Sequence, residues 1–321
     1  MTEDCYGLLL LSHLRVQNAN AISGPLSWGF PAPSAFTGFT HALQRRLAGK
    51  AGANFGGVGI LCHDFEPQVS RPAGRRTLTF NLTRNPNDKD GNTPALIEEG
   101  RAHLDVSLVI GVHDYLPQDE GEAFAAEALA TVFGMRMAGG SILPAVLPAR
   151  TTVQWWPLSG YEQDDAVSFR KLSRRLLPGF ALVHRPDLLI TRLHELRDAE
   201  PEATAHAALL DLVRLNIEPQ PADADKPEHC EWAVRRRPGW LVPLPIGYAA
   251  LSPLYPPGSV ERSRDAETPF RFVESLYSLG EWVSPHRLST LEQLFWTHEA
   301  DVDAGLYCCR NRYADFIART A

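Results

Sequence analysis

An apolar run from Leu8 to Val16, preceded by the acidic pair Glu3 and Asp4, leads straight into a stretch rich in amides, glycine, proline and aromatics, Gln17 to Arg46. A short apolar run bounded by polar residues reads as a buried strand, here 7–16. Beyond it the chain must turn and enter a helix. From about Ser34 to Ala48, Phe36, Phe39, Leu43 and Leu47 fall on one face, and Ser34 is the expected N-cap. Amides and aromatics at a strand-to-helix junction can hydrogen-bond to and stack on a bent single-stranded polynucleotide. They serve equally well in a loop that packs on its own core.

The periodicity continues in the same style. Gly57 to Val69 reads as a second strand, and Ala102 to Val112 as a third, with His103, Asp105 and Ser107 alternating against Leu104, Val106 and Leu108. Glu120 to Arg136 reads as the next helix, and either Gly140 to Leu147 or Phe180 to Val183 can supply a fourth strand. The order strand, helix, strand, strand, helix, strand predicts an α+β fold of the split βαβ kind. Unrelated proteins share that order, so it does not assign a function. Ser70 to Gly100, between the second and third strands, is an insertion punctuated by Gly, Pro, Asn and Asp. Further on, Asp165 to Leu177, Pro186 to Arg197 and Ala203 to Leu215 read as helices, Pro219 to Glu228 as a polar linker, and Trp240 to Pro245 and Phe270 to Tyr277 as strands. The expected division is a first region, 1–185, and a less regular second region, 186–321, packed on it.

A chain of 321 residues with 44% hydrophobic content can bury a sizeable core. The apolar run is too short to span a membrane and lacks a basic start, so a cytoplasmic protein is expected. The five cysteines lack CxxC spacing and paired histidines, which argues against a zinc ribbon or a disulfide framework. The net charge of −7 argues against non-specific coating of nucleic acid but leaves room for a local groove. Residues 14–101 carry ten Lys/Arg against six Asp/Glu, whereas residues 102–165 carry two against nine. A basic face beside an acidic one suits a subunit that touches a polyanion on one side only.

Three groups can carry such contacts. In the insertion, Arg71, Arg75, Arg76 and Arg84 can bind phosphates bidentately, and Asn81 and Asn85 can read base edges; a solvated hairpin would look the same. Arg170, Lys171, Arg174 and Arg175 lie on adjoining faces of one helix and repel one another unless an anion neutralises them. Arg235 to Arg237 is a weaker signal of the same kind. In the junction, Gln17, Asn18 and Asn20 are candidate base or backbone contacts, and Trp28 and Phe30 candidate stacking residues, though core packing is the commoner role for such a pair. Gly139 and Gly140 read as a helix C-cap and a place of close backbone approach, and Gly56 to Gly59 as another such approach. No HExxH, GxSxG, GxGxxG or GxxxxGK[ST] motif occurs. The eleven histidines are dispersed, and His13, His41, His63, His103 and His286 read as satisfied core or surface residues. No catalytic residue, metal or cofactor is expected.

Several long segments resemble one family in one order. They are Gln17 to Phe39, Arg71 to Arg76 with Phe80 to Pro86, Glu99 to Leu108, Met135 to Pro144, Arg174 to Val183, Pro238 to Pro243, Ala250 to Tyr255 and Gly280 to Arg287. That family is the second Csy protein of type I-F CRISPR systems, a Cas-five-like branch of the repeat-associated (RAMP) superfamily. The resemblance implies a ferredoxin-like, RNA-recognition-like palm with a thumb inserted at about 70–100 and an irregular C-terminal extension. It also implies a heterodimer with the large subunit of the guide complex, a grip on the 5′ handle of the CRISPR RNA, and contact with the first backbone subunit. Target DNA would be met only through the complex, its sequence read by base pairing of the guide. The expected role is a non-enzymatic scaffold. The rivals are a guide-processing endoribonuclease, disfavoured by the dispersed histidines, and a purely protein–protein adaptor.

Overall fold

Leu8 to Leu11 are each almost wholly buried. Alternate side chains of a strand point to opposite faces, so a strand buried at every position must have cores on both sides. The computed structural model shows this arrangement; it describes residues 5–84, 87, 90–144, 152–221, 230–235, 239–263 and 265–320. The strand β1 (Gly7–Asn20) runs four residues beyond Val16, so Gln17, Asn18 and Asn20 belong to the strand itself and not to a linker. Helix α1 (Pro33–Arg46) starts one residue before the expected cap. Ala32 is the N-cap, with no side-chain hydrogen bond, so Ser34 does not cap the helix. Pro33 takes the first helical position, where its missing N–H costs nothing. Phe36, Phe39, Leu43 and Leu47 are buried as the periodicity predicts.

Next come β2 (Phe55–Pro67) and the insertion, which holds β3 (Val69–Ser70) paired with β4 (Thr79–Phe80), and β5 (Leu82–Arg84) paired with β6 (Leu96–Glu98). After the insertion lie β7 (Arg101–Val112), α2 (Gln118–Val132), β8 (Arg136–Met137), β9 (Gly140–Leu143), β10 (Thr152–Pro157) and α3 (Glu162–Arg175). β1 pairs antiparallel with β7 on one side and with β9 and β10 on the other, and β7 pairs antiparallel with β2. Leu9, Leu11 and Leu14 share one core with Phe36, Phe39 and Leu43 of α1 and Phe124, Ala125, Ala128 and Val132 of α2. On the opposite face, Leu8, Leu10, Leu61 and Val109 pack against Phe169, Leu172 and Leu176, which ties α3 to the sheet.

Gly139 and Gly140 correct one expectation. Ala138 and Gly139, both with positive φ (48° and 78°), make the tight turn of the β8–β9 hairpin and do not cap a helix. The close approach is real: a Cβ on Gly140 would lie 2.7 Å from the Gln17 carbonyl oxygen.

The rest of the chain supplies β11 (Phe180–His184), α4 (Pro186–Ala199), α5 (Ala205–Val213), β12 (Ile217–Pro221), β13 (Cys230–Val234), β14 (Leu241–Ala250), β15 (Val273–Val283), α6 (Leu291–Leu294), β16 (Phe295–Asp301), β17 (Leu306–Asn311) and α7 (Tyr313–Thr320). The expected linker, Pro219 to Glu228, is corrected at its start, because Ile217 to Pro221 forms a two-stranded sheet with Cys230 to Val234; residues 222–229 lie outside the described residues. Both candidates for the fourth strand are strands of the large sheet: Gly140–Leu143 lies beside β1, and Phe180–His184 pairs with both β15 and β2. That double pairing closes a ring, β2-β16-β17-β14-β15-β11 and back to β2. Trp296, fully buried, fills it from β16 and donates its indole N–H to the Leu182 carbonyl at 2.7 Å. The α+β expectation therefore holds as one large antiparallel sheet flanked by helices. Among the described residues no helix is long and apolar enough to cross a membrane.

His184 gives the fold a pH dependence. It is 8% exposed and lies 2.8 Å through Nε2 from Ser278 Oγ. Burial pushes its imidazole from 6.5 down to about 4; Asp187 opposes the fall and Arg310 adds to it. The folded value lies below the unfolded one, so the unfolded chain takes up the proton first as pH drops. Its contribution is intact above the ordinary 6.5 and is lost progressively towards about 4, roughly 3 kcal/mol in all. Urea unfolding at pH 7 and pH 5 should show a larger loss for the native chain than for His184→Gln. Equal losses would show that His184 does not set this dependence.

Candidate nucleic-acid interface

The alternation in β7 produces a sheet face that is apolar at one end and polar at the other. Ala102, Leu104 and Val106 enter the core under α1 and α2, while His103, Asp105 and Ser107 project to the opposite face, which α3 covers only from Val109 onwards. Arg15, exposed on β1, lies opposite Asp105 in register. The insertion leaves the sheet at this same end, where Pro67 pairs with Ala102.

β1 reaches this end through a bulge between Val16 and Ala19, where Asn18 takes φ 58°. An asparagine tolerates that left-handed conformation better than most residues. The Asn18 backbone N–H donates to His103 Nδ1 at 3.3 Å, and its side-chain oxygen accepts from Gln68 Nε2 at 2.5 Å. Arg101 donates to the Asn18 carbonyl at 3.5 Å and is paired with Glu99 at 2.6 Å. Gln17 is exposed, in register with Ser141. Asn20 closes a local turn, accepting from the Ile22 N–H and donating to the Ile22 carbonyl, both at 3.0 Å. Trp28 is 53% exposed and stands edge-on to Phe80 of the insertion, with centroids 5.4 Å apart. Phe30 instead stacks on Phe36 at 5.3 Å and belongs to the core.

Arg71, Arg75 and Arg76 are exposed on the turn between β3 and β4, which the Arg75 N–H tightens onto the Pro72 carbonyl at 3.1 Å. No ion pair to these three occurs among the described residues. Asn81, also exposed, donates its backbone N–H to the Gln68 carbonyl at 3.1 Å, which ties the turn to the Asn18 network. Arg84 pairs through its backbone with Leu96, and Asn85 lies outside the described residues. The insertion arginines and the junction amides thus meet at one end of the sheet.

The α3 group stands elsewhere. Arg170, Lys171, Arg174 and Arg175 are exposed on the side of α3 away from Phe169, Leu172 and Leu176, again without an ion pair among the described residues. Arg170 donates to the Ala166 carbonyl at 3.3 Å. Arg235 pairs with Glu218 at 3.3 Å, and Arg236 and Arg237 lie outside the described residues. A cavity of about 370 Å³ opens beside Asn20, lined also by Ser23, Ser34, Ala138, Tyr248 and Ser275. The amino end of α1 borders it with no acidic residue in its first turn, an arrangement favourable to an anion.

Sequence reasoning missed one polar cluster. His13, His63, Asp105 and Ser107, from three adjacent strands, converge where the polar end begins. His13 Nδ1 lies 2.9 Å from Asp105 Oδ1, and His63 Nε2 lies 2.7 Å from Ser107 Oγ. The two imidazoles stack with centroids 4.0 Å apart. Burial holds His63 below the usual histidine range and His13 pushes the same way, while the Pro178 carbonyl and Asp105 oppose them. The only trace in the sequence is the alternation His103, Asp105, Ser107, which places two of the polar partners on one face.

Comparison with known proteins bears on nearly the whole chain. The family model described as CRISPR-associated protein (Cas_Csy2) matches residues 9–309. The CRISPR-associated protein Csy2 of Pseudomonas aeruginosa (strain UCBPP-PA14) is 53% identical over 311 residues, which cover 95% of each chain. The family model runs from β1 through the insertion to β17, the relative covers 95% of the chain, and on that ground the chain belongs to the Csy2 family of type I-F CRISPR-associated proteins.

Proposed function

We propose that, as a subunit of the type I-F complex, this chain holds the 5′ handle of the CRISPR RNA without cutting it. It pairs with the large subunit, touches the first backbone subunit, and meets target DNA only through the assembled complex in the cytoplasm. One observation carries the reading. Three exposed arginines, without ion pairs among the described residues, stand on a turn bonded to the same network that presents Asn18, beside the half-exposed Trp28. Guanidinium groups supply bidentate phosphate contacts, amides read base edges, and an indole offers a stacking surface. The strand order β9/β10, β1, β7, β2 with α1 and α2 on one face supports a ferredoxin-like palm, with residues 70–100 as its thumb.

The test is ultraviolet crosslinking with peptide mapping on the complex assembled with guide RNA. Crosslinks from handle nucleotides should fall on peptides containing Asn18, Trp28 and Arg71 to Arg76. A stable complex in which this subunit yields no handle crosslink would overturn the reading. Incubation of the purified chain with repeat RNA, with and without chelator, should give no specific cleavage; a discrete product would favour the endoribonuclease instead.

A further inference from the structure

We propose that His13, His63 and Asp105 form a binding site for one divalent transition-metal ion of the zinc class. Two bulges in the backbone bring the histidines together. β1 and β2 flank β7, and each departs from regular register at the same level of it. Leu11 pairs with Leu108 and Leu14 with Val106, so β1 holds one residue too many there, and His13 has φ 52°. Cys62 pairs with Val106 and Asp64 with Asp105, so the extra residue in β2 is His63. A bulge re-aims a side chain at the cost of ladder pairing, and positive φ is strained for a residue with a Cβ. Two strands thus each use a bulge to bring a histidine to the face that presents Asp105 and Ser107.

One donor atom from each of His13, His63 and Asp105 lies within 4.8 Å of the others. Tetrahedral zinc holds N and O ligands at about 2.0–2.2 Å, which spaces them roughly 3.3 Å apart; His63 would close in, while His13 Nδ1, 2.9 Å from Asp105 Oδ1, would give up the proton of that hydrogen bond to solvent and open slightly. His63 Nδ1 lies 2.6 Å from the Pro178 carbonyl oxygen. A carbonyl only accepts, so Nδ1 carries the proton and the Nε2 lone pair faces the cluster, the outer-shell arrangement that orients a metal-binding histidine. Ser107 Oγ, which accepts the His13 backbone N–H at 2.9 Å, can donate to that lone pair; rotation of its hydroxyl would release it. The side chains of His13 and Asp105 are 22% and 19% exposed, so an ion can enter and water can complete its shell. Two imidazoles and one carboxylate favour zinc, cobalt or nickel over magnesium or calcium.

The inference does not depend on RNA binding, because its readout is metal in the RNA-free chain. The full-length protein, stripped with chelator and dialysed, is titrated with Zn²⁺ by calorimetry and with Co²⁺ by visible absorption. One equivalent should bind, with d–d bands indicating nitrogen and oxygen ligation. His13→Gln, His63→Gln and Asp105→Asn should each weaken binding by a factor of about 10 to 100 or more, while His206→Gln on exposed α5 should leave it unchanged. Should a variant fold poorly, the native chain decides alone: Zn²⁺ should raise its melting temperature and protect His63 from diethyl pyrocarbonate. Absence of stoichiometric binding, or binding indifferent to all three substitutions, would overturn the proposal.

Discussion

Reversing Arg71, Arg75 and Arg76 to glutamate should lower the affinity of the assembled subunit for handle RNA by about a hundredfold or more at moderate salt. It should also reduce the steepness of its salt dependence by about two units of log–log slope. Each phosphate neutralised on a single strand contributes about 0.7 to that slope, and reversal adds repulsion to the lost contact. The three side chains are exposed on a turn that packs little, so stability should change by less than about 0.5 kcal/mol. Affinity and fold are thereby separable by measuring binding isotherms across a range of salt concentrations beside thermal melts. An unchanged slope would remove the turn from the interface. The same reversal at Arg170 and Arg174 then shows whether α3 lies on the RNA path or serves a protein partner.

Trp296→Ala should be the most damaging single substitution in the core, destabilising the chain by about 3–5 kcal/mol. The indole is fully buried, and its N–H is bonded to the Leu182 carbonyl of β11. Truncation opens a cavity inside the strand ring and also deprives a buried carbonyl of its side-chain donor. Trp296→Phe should recover much of the volume but not the hydrogen bond, and should fall between the two in urea unfolding. A loss below about 1 kcal/mol for the alanine variant would show that the ring relaxes around the gap.

The first half of the fold was legible because its patterns are short-range: β1 begins as a continuous apolar run and α1 buries one face. Phe36, Phe39, Leu43 and Leu47 announce α1, and His103 to Leu108 announce β7. Strand ends were less legible. Nothing local shows that β1 continues through two bulges to Asn20, because a bulge is fixed by its partner strand. The ring was hidden for the same reason: whether Phe180–His184 joins β2 or β15 depends on segments far away in sequence, and it joins both. The insertion arginines could be found from composition and turn residues. The His13, His63 and Asp105 cluster could not, since one register shift in either strand would scatter it.

The double pairing of β11 also has a kinetic consequence. Val58 on β2 finds its outer neighbour only when Trp296 arrives, and Cys62 only when Phe180 does. Such contacts raise contact order, so the ring should close late and slowly. On the ribosome the early strands therefore wait with an open hydrogen-bonding edge that can recruit other chains. A chain interrupted between β11 and Phe295 would cover Leu61 and Cys62 but keep the edge open at Val58 and Gly59, so partial products should stay prone to associate until synthesis has passed β16.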